Sequence, residues 1–287
     1  MDTQNKVLAC VDLSPYADYL GDYAAWAARR LNAPLKFLHI VTRHPEIGSG
    51  DDHSGAIGIG SQQNLLTRLS EQEAAELKAA HEKGRVFLNR LRERAIAAGV
   101  SSPDIKQRHG TLEETAVEQE PEVQLFVWGR RGESTKQASG KVGRNVESVV
   151  RALHKPILSV TAGFSEPTRV LFAYDGSSLA RNGILMVADS PLLRGLPIHL
   201  LMSGKASSDG PKQMEWAKTT LEAAGFEVIP HLIPGDPQTV VAATIREQHI
   251  DLLIMGAYGH SPLRSKLFGC KTNALLGSVN IPILLLR

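Results

Sequence analysis

The residues with the clearest chemical potential are glycines that would bring main chain, rather than side chains, against a ligand. Gly256-Ala257-Tyr258-Gly259 is followed, after nine residues, by Gly269-Cys270-Lys271-Thr272. Gly256 and Gly259 let backbone pass a ligand without a Cβ in the way. Gly269 and the amides after it open a predicted helix, and N–H groups at a helix N-terminus attract phosphate. Lys271 adds a cation to that cradle. The spacing is not that of a Walker A loop, which would need glycine where Arg264 stands and lysine where Cys270 stands. It is not the dinucleotide fingerprint GxGxxG either. A second, weaker copy reads Gly129-Arg130-Arg131-Gly132, ten residues, then Gly143-Arg144. Arg144 would either draw phosphate in or fill its place.

Other polar residues carry less. Asp12 and Asp175 each end an apolar run, as ligand-facing acids or as turn carboxylates. His260 would either donate to a phosphate or sit solvated in its loop. Asp51-Asp52-His53 has no further ligand nearby and reads as a polar loop, so no metal site is expected. Cys10, inside an apolar run, reads as a small core residue. There is no G-x-S-x-G elbow, no HExxH and no pair of carboxylates beside a predicted cleft, so binding is expected rather than catalysis.

The elements that position these residues follow from apolar patterning. Lys6–Val11 is a continuous apolar run ending at Asp12, the signature of a strand buried on both faces of a parallel sheet. Ser14-Pro15 then reads as a helix start. Leu20, Tyr23, Ala24, Ala27 and Leu31 give Tyr16–Leu31 helical spacing. Strands at Leu35–Val41, Ile105–Arg108, Val123–Trp128 and Ile157–Val160 alternate with helices near 62–98, 112–119 and 145–153. Arg169–Tyr174 then leads to Asp175 as Lys6–Val11 leads to Asp12, with Ser178 as the expected cap. Asp251–Met255 leads to Gly256 as Val123–Trp128 leads to Gly129. His154-Lys155-Pro156-Ile157-Leu158 matches Asn280-Ile281-Pro282-Ile283-Leu284. The plan therefore occurs twice: residues 1–163, with a loop-helix insertion near 42–98, and residues 167–287. Strand–helix alternation of this kind predicts a doubly wound α/β fold, two five-stranded, mostly parallel sheets with helices on both faces.

The motif G-x2-G-x9-G, with an aspartate ending the first strand, resembles that of the universal stress protein family, and two copies in one chain resemble its tandem members. The likeness covers nearly the whole chain: VDLSPYA and AYDGSSLA, GRRGE and GAYGHS, HKPILSV and NIPILLL. It implies an adenine-nucleotide alpha-hydrolase-like fold whose last strands join the halves as an intramolecular pseudo-dimer. It also implies an ATP or AMP site, with or without Mg2+, most readily in the second half. There Asp175 would meet the base or ribose and Met202 would offer main-chain contacts to the base. Gly256, Gly259 and His260 would line the ribose and phosphates, with Gly269, Cys270 and Lys271 at the phosphate end. Cys270 stands where the family has Ser or Thr, and losing that hydroxyl costs about 1–2 kcal/mol of binding. Asp12, Gly129, Gly132, Gly143 and Arg144 form the degenerate counterpart. The resemblance implies a stress-response regulatory module; a nucleotide-free interaction scaffold, a weak ATPase and a binder of some other small ligand are the alternatives.

Composition narrows the rest. Hydrophobic residues make up 43% and charged residues 22%, a globular mixture, and the net charge of +2 is too small for a binder driven by phosphate neutralisation. No DNA partner is expected. No apolar run reaches membrane-span length, and the start lacks a signal-peptide core. A cytoplasmic protein is the resulting expectation, with an intramolecular domain pair, a homodimer or an unidentified protein partner open.

Overall fold

The computed structural model describes residues 5–41, 59–130, 151–204, 208–256 and 279–287. In the first half β1 (Lys6–Val11), α1 (Ala17–Leu31), β2 (Leu35–Val41), α2 (Ile59–Ala97), β3 (Asp104–His109), α3 (Leu112–Gln119), β4 (Val123–Gly129) and β5 (Ile157–Val160) follow in order. The second half repeats them as β6 (Val170–Ala173), α4 (Ser178–Asp189), β7 (Ile198–Gly204), α5 (Gly210–Ala223), β8 (Val228–Pro234), α6 (Pro237–Glu247), β9 (Leu252–Gly256) and β10 (Ile283–Leu286). The apolar runs become strands because each is covered on both faces. Every residue of β1, β5 and β10 is buried.

The strands form one sheet rather than two. Its order is β3-β2-β1-β4-β5-β10-β9-β6-β7-β8, parallel throughout except where β10 meets β5 antiparallel. The physical reason is edge satisfaction: two short, fully buried strands cannot leave a row of unpaired N–H and C=O groups. The outer strands have other protection. In β3 the exposed ends and Lys106 and Arg108 keep the edge polar. In β8 the edge carries Pro230 and Pro234, which have no N–H to offer another strand.

Two helix starts differ from expectation. The first helix begins at Ala17 behind Tyr16, without a side-chain cap, and Ser14 contributes its carbonyl to Ala17 N–H at 3.2 Å. Ser177, not Ser178, caps α4, its Oγ accepting from Ala180 N–H at 3.2 Å. The Asp175 side chain fixes the turn that puts Ser177 there. The helices that follow β2 and β7 differ in length: α2 has 39 residues against 14 in α5. The difference is roughly 37 Å of helix at 1.5 Å per residue.

Each half has a topological switch point, between β1 and β4 and between β6 and β9, where consecutive strands leave in opposite directions. Ligands of open α/β sheets bind outside the carboxyl ends of strands at such points.

Candidate functional site

The carboxyl ends of β9, β6 and β7 bring Gly256, Asp175 and Met202 together. Ala173 is in register with both Met255 and Leu201, which places Gly256, Tyr174 and Met202 at one level of the sheet with Asp175 just beyond. Tyr174 N–H donates to Leu201 O at 2.8 Å, extending the ladder to that level. Gly259, His260, Gly269, Cys270 and Lys271, and in the first half Gly132, Gly143 and Arg144, lie outside the described residues.

Both aspartates shape turns. Asp175 Oδ1 accepts from Ser177 N–H at 3.0 Å, and Asp12 Oδ1 accepts from Ser14 N–H at 3.1 Å. These are Asx turns, which reverse the chain at the strand end and carry the carboxylate to the sheet's rim. Gly256 has a packing reason for being glycine, since a Cβ there would lie 3.1 Å from Leu179 Cδ2 in the first turn of α4. Tyr174 is buried, which pushes its hydroxyl pKa up, while the neighbouring Arg181 acts against the rise. Arg181 also stacks 5.3 Å over the Trp216 ring.

The halves differ where their clefts should match. Val11 is in register with His39 as Tyr174 is with Met202, so His39 takes the place of Met202. Leu13 follows Asp12 as Gly176 follows Asp175. Counting back equally from Gly99 and Gly225, which close α2 and α5 with positive φ, Phe87 takes the place of Gln213. In the first half these residues fill their space. Phe87 is 8% exposed, lies 5.8 Å from the His39 ring and carries Arg90 over its face. His39 Nδ1 sits 3.0 Å from Val11 O, and Leu13 packs against the core. In the second half the same three positions are Gly176, Gln213 and Met202. That lining has no side chain at one position and an amide at another. His39, Phe87 and Gln213 were not singled out from sequence; aligning the two halves by strand register is what exposes them.

Arg130 stands at the start of the first glycine loop and is held at the junction of the two halves. It is 4% exposed, its N–H donates to Val160 O at 2.8 Å, and its guanidinium donates to Ile281 O at 2.6 Å and to Val279 O. Thr161 Oγ1 donates to the intervening Asn280 O at 3.0 Å. The first half thus grips three consecutive carbonyls of the second, immediately before β10.

Elsewhere, burial pushes the Cys10 thiol pKa up to about 12, in keeping with a core residue. Among the described residues there is no group of three or more His, Cys, Asp or Glu side chains that could hold a metal, and no helix long and apolar enough to cross a membrane.

Against known proteins, a model of the universal stress protein family matches residues 4–161 and 203–287. The chain is 32% identical over 285 residues to universal stress protein Slr1230 of Synechocystis sp., covering 98% of this chain and 99% of that protein. It is 27% identical over 86 residues to universal stress protein MJ0577 of Methanocaldococcus jannaschii, covering 30% of this chain and 53% of that protein. Among solved structures, a universal stress protein from Archaeoglobus fulgidus superposes with a TM-score of 0.70 at 16% identity, over 99% of this chain and 97% of that one, a likeness of fold.

Proposed function

We propose that this chain, which belongs to the universal stress protein family, binds one adenine nucleotide in its second half and serves as a stress-response regulatory module rather than a dedicated enzyme. Residues 1–163 and 167–287 form the two domains, paired across β5 and β10 as a pseudo-dimer. The supporting observation is the contrast between the clefts. Phe87, Leu13 and His39 occupy the first, whereas the second has Gly176, Gln213 and Met202, with no side chain at one position and an amide at another.

The residues present fit a nucleotide. Gly176 leaves room for the Gln213 amide beside the turn, Asp175 offers a carboxylate to ribose or base hydroxyl and amino groups, and Met202 supplies main-chain groups at the end of β7. Gly259, Gly269, Cys270 and Lys271 would receive the phosphates, with or without Mg2+. When bound, the nucleotide supplies the signal, its charge and its phosphate number; the chain's own residues hold and orient it.

Calorimetric titration of the ligand-stripped full chain with Mg-ATP tests the reading. One site per chain, absent in Gly269→Val with the fold intact, is expected. No heat from folded wild type would leave the second reading, an interaction scaffold. That alternative draws on α2, whose 39 residues extend well past the length matched by α5.

A further inference from the structure

We infer that Gln213 is the base-reading residue of the second cleft and selects adenine over guanine. The inference rests on the nucleotide reading above and names the determinant of its specificity. Gln213 lies on the first turn of α5, half-buried, with its side chain directly over the Asp175–Gly176 turn. A Cβ at Gly176 would lie 2.7 Å from Gln213 Cδ, so the amide rests on the bare Cα of that glycine. Gly176 has φ +72°, a conformation that suits glycine and that residues with a Cβ rarely adopt. The helix start packs beside Met202, since a Cβ at Gly210 would lie in ordinary contact, 3.6 Å, from Met202 Sδ. Asp175, Gly176, Met202 and Gln213 therefore surround one spot at the carboxyl end of β6 and β7.

The chemistry of that spot is set by the amide. It offers one acceptor and two donors in a plane. Adenine presents a donor, its N6 amino group, beside an acceptor, N7, and a glutamine amide pairs with both at once. Guanine presents O6 and N7, two acceptors, and the amide's carbonyl would face an acceptor. The first half cannot read a base this way, because Phe87 stands where Gln213 does and is closed against His39.

The test is titration of the full chain with Mg-ATP and Mg-GTP, for wild type, Gln213→Leu and Gln213→Glu, each checked for an unchanged urea midpoint. Wild type should bind ATP at least about ten-fold tighter than GTP. Gln213→Leu should lose about ten-fold on ATP with little change on GTP, erasing the preference. Gln213→Glu should also weaken ATP, because a carboxylate accepts from N6 but has nothing to donate to N7. If wild type binds ATP and Gln213→Leu keeps its affinity and preference within about two-fold, the assignment of Gln213 is overturned and the nucleotide site stands. If wild type binds neither nucleotide, both fall together.

Discussion

Replacing Arg130 by methionine should weaken the junction of the two halves far more than an ordinary single substitution. The side chain is 4% exposed and donates to Val279 O and Ile281 O across the junction. A hydrogen bond from a charged donor contributes about 1.5–3 kcal/mol, and an orphaned buried carbonyl costs about 1–3 kcal/mol. Against this, methionine removes the cost of holding a cation out of water. The net expectation is a loss of about 2–4 kcal/mol, which for a chain of this length lowers the melting temperature by roughly 4–8 °C. Arg130→Lys keeps the charge but not the planar fork that reaches two carbonyls, and should fall between. Thr161→Val, which removes only the exposed bond to Asn280 O, should cost about 0.5 kcal/mol and serves as the control. Urea unfolding followed by tryptophan fluorescence measures all three. An Arg130→Met protein within about 0.5 kcal/mol of wild type would refute the reasoning, since it would mean that Val279 and Ile281 find other donors.

Acid should destabilise the protein through His199 and His231, whose Nδ1 and Nε2 lie 3.0 Å apart across β7 and β8. Burial lowers both pKa values, and for His199 the neighbouring His231 and Arg169 lower it further while Glu227 opposes them. The unfolded chain, with its histidines near 6.5, then binds protons the folded one refuses, so stability is full above that pH and declines as pH falls below it. Urea unfolding at several pH values should show that slope flattened in His231→Gln; an unchanged slope would exclude the pair as its source. Gly183→Ala should destabilise by about 1–3 kcal/mol, because a Cβ there would lie 2.8 Å from Leu286 Cδ1 and 3.3 Å from Phe172 Cζ in the packed core. Gly21→Ala, whose Cβ would meet Leu91 Cδ2 at 3.3 Å, should cost less, and equal melting temperatures for the two would contradict the packing argument.

Much of the architecture was readable in the chain because the strands are buried on both faces. Parallel strands of that kind write themselves as unbroken apolar runs, and Lys6–Val11 and Asp251–Met255 could hardly be mistaken. Their ends were equally plain, since Asp12 and Asp175 switch abruptly from apolar to polar. Helix starts were harder. Ser14-Pro15 has the composition of a cap, but the Asp12 Asx turn uses Ser14 N–H and delays the helix to Ala17. Ser177 and Ser178 are identical in type, and only the turn geometry decides which one caps. The merger of ten strands into one sheet depends on an edge-to-edge pairing of β5 with β10 that no local pattern encodes. The candidate site followed the same division. Asp175, Met202 and Gly256 sit at strand ends and are placed by the sheet, so their proximity could be anticipated. Gln213 and Phe87 arrive on crossover helices, and the partners of Arg130 are main-chain carbonyls about 150 residues away, so no local pattern pointed to these three.

The central claim is that nucleotide goes to the second cleft and not the first, and amide hydrogen exchange of the full chain with and without Mg-ATP addresses it most directly. The account predicts slowed exchange at Gly176–Ser178 and at Ser203, with Leu13, Ser14 and Ile40 unchanged. Equal protection at both sets, or protection confined to the first, would contradict it.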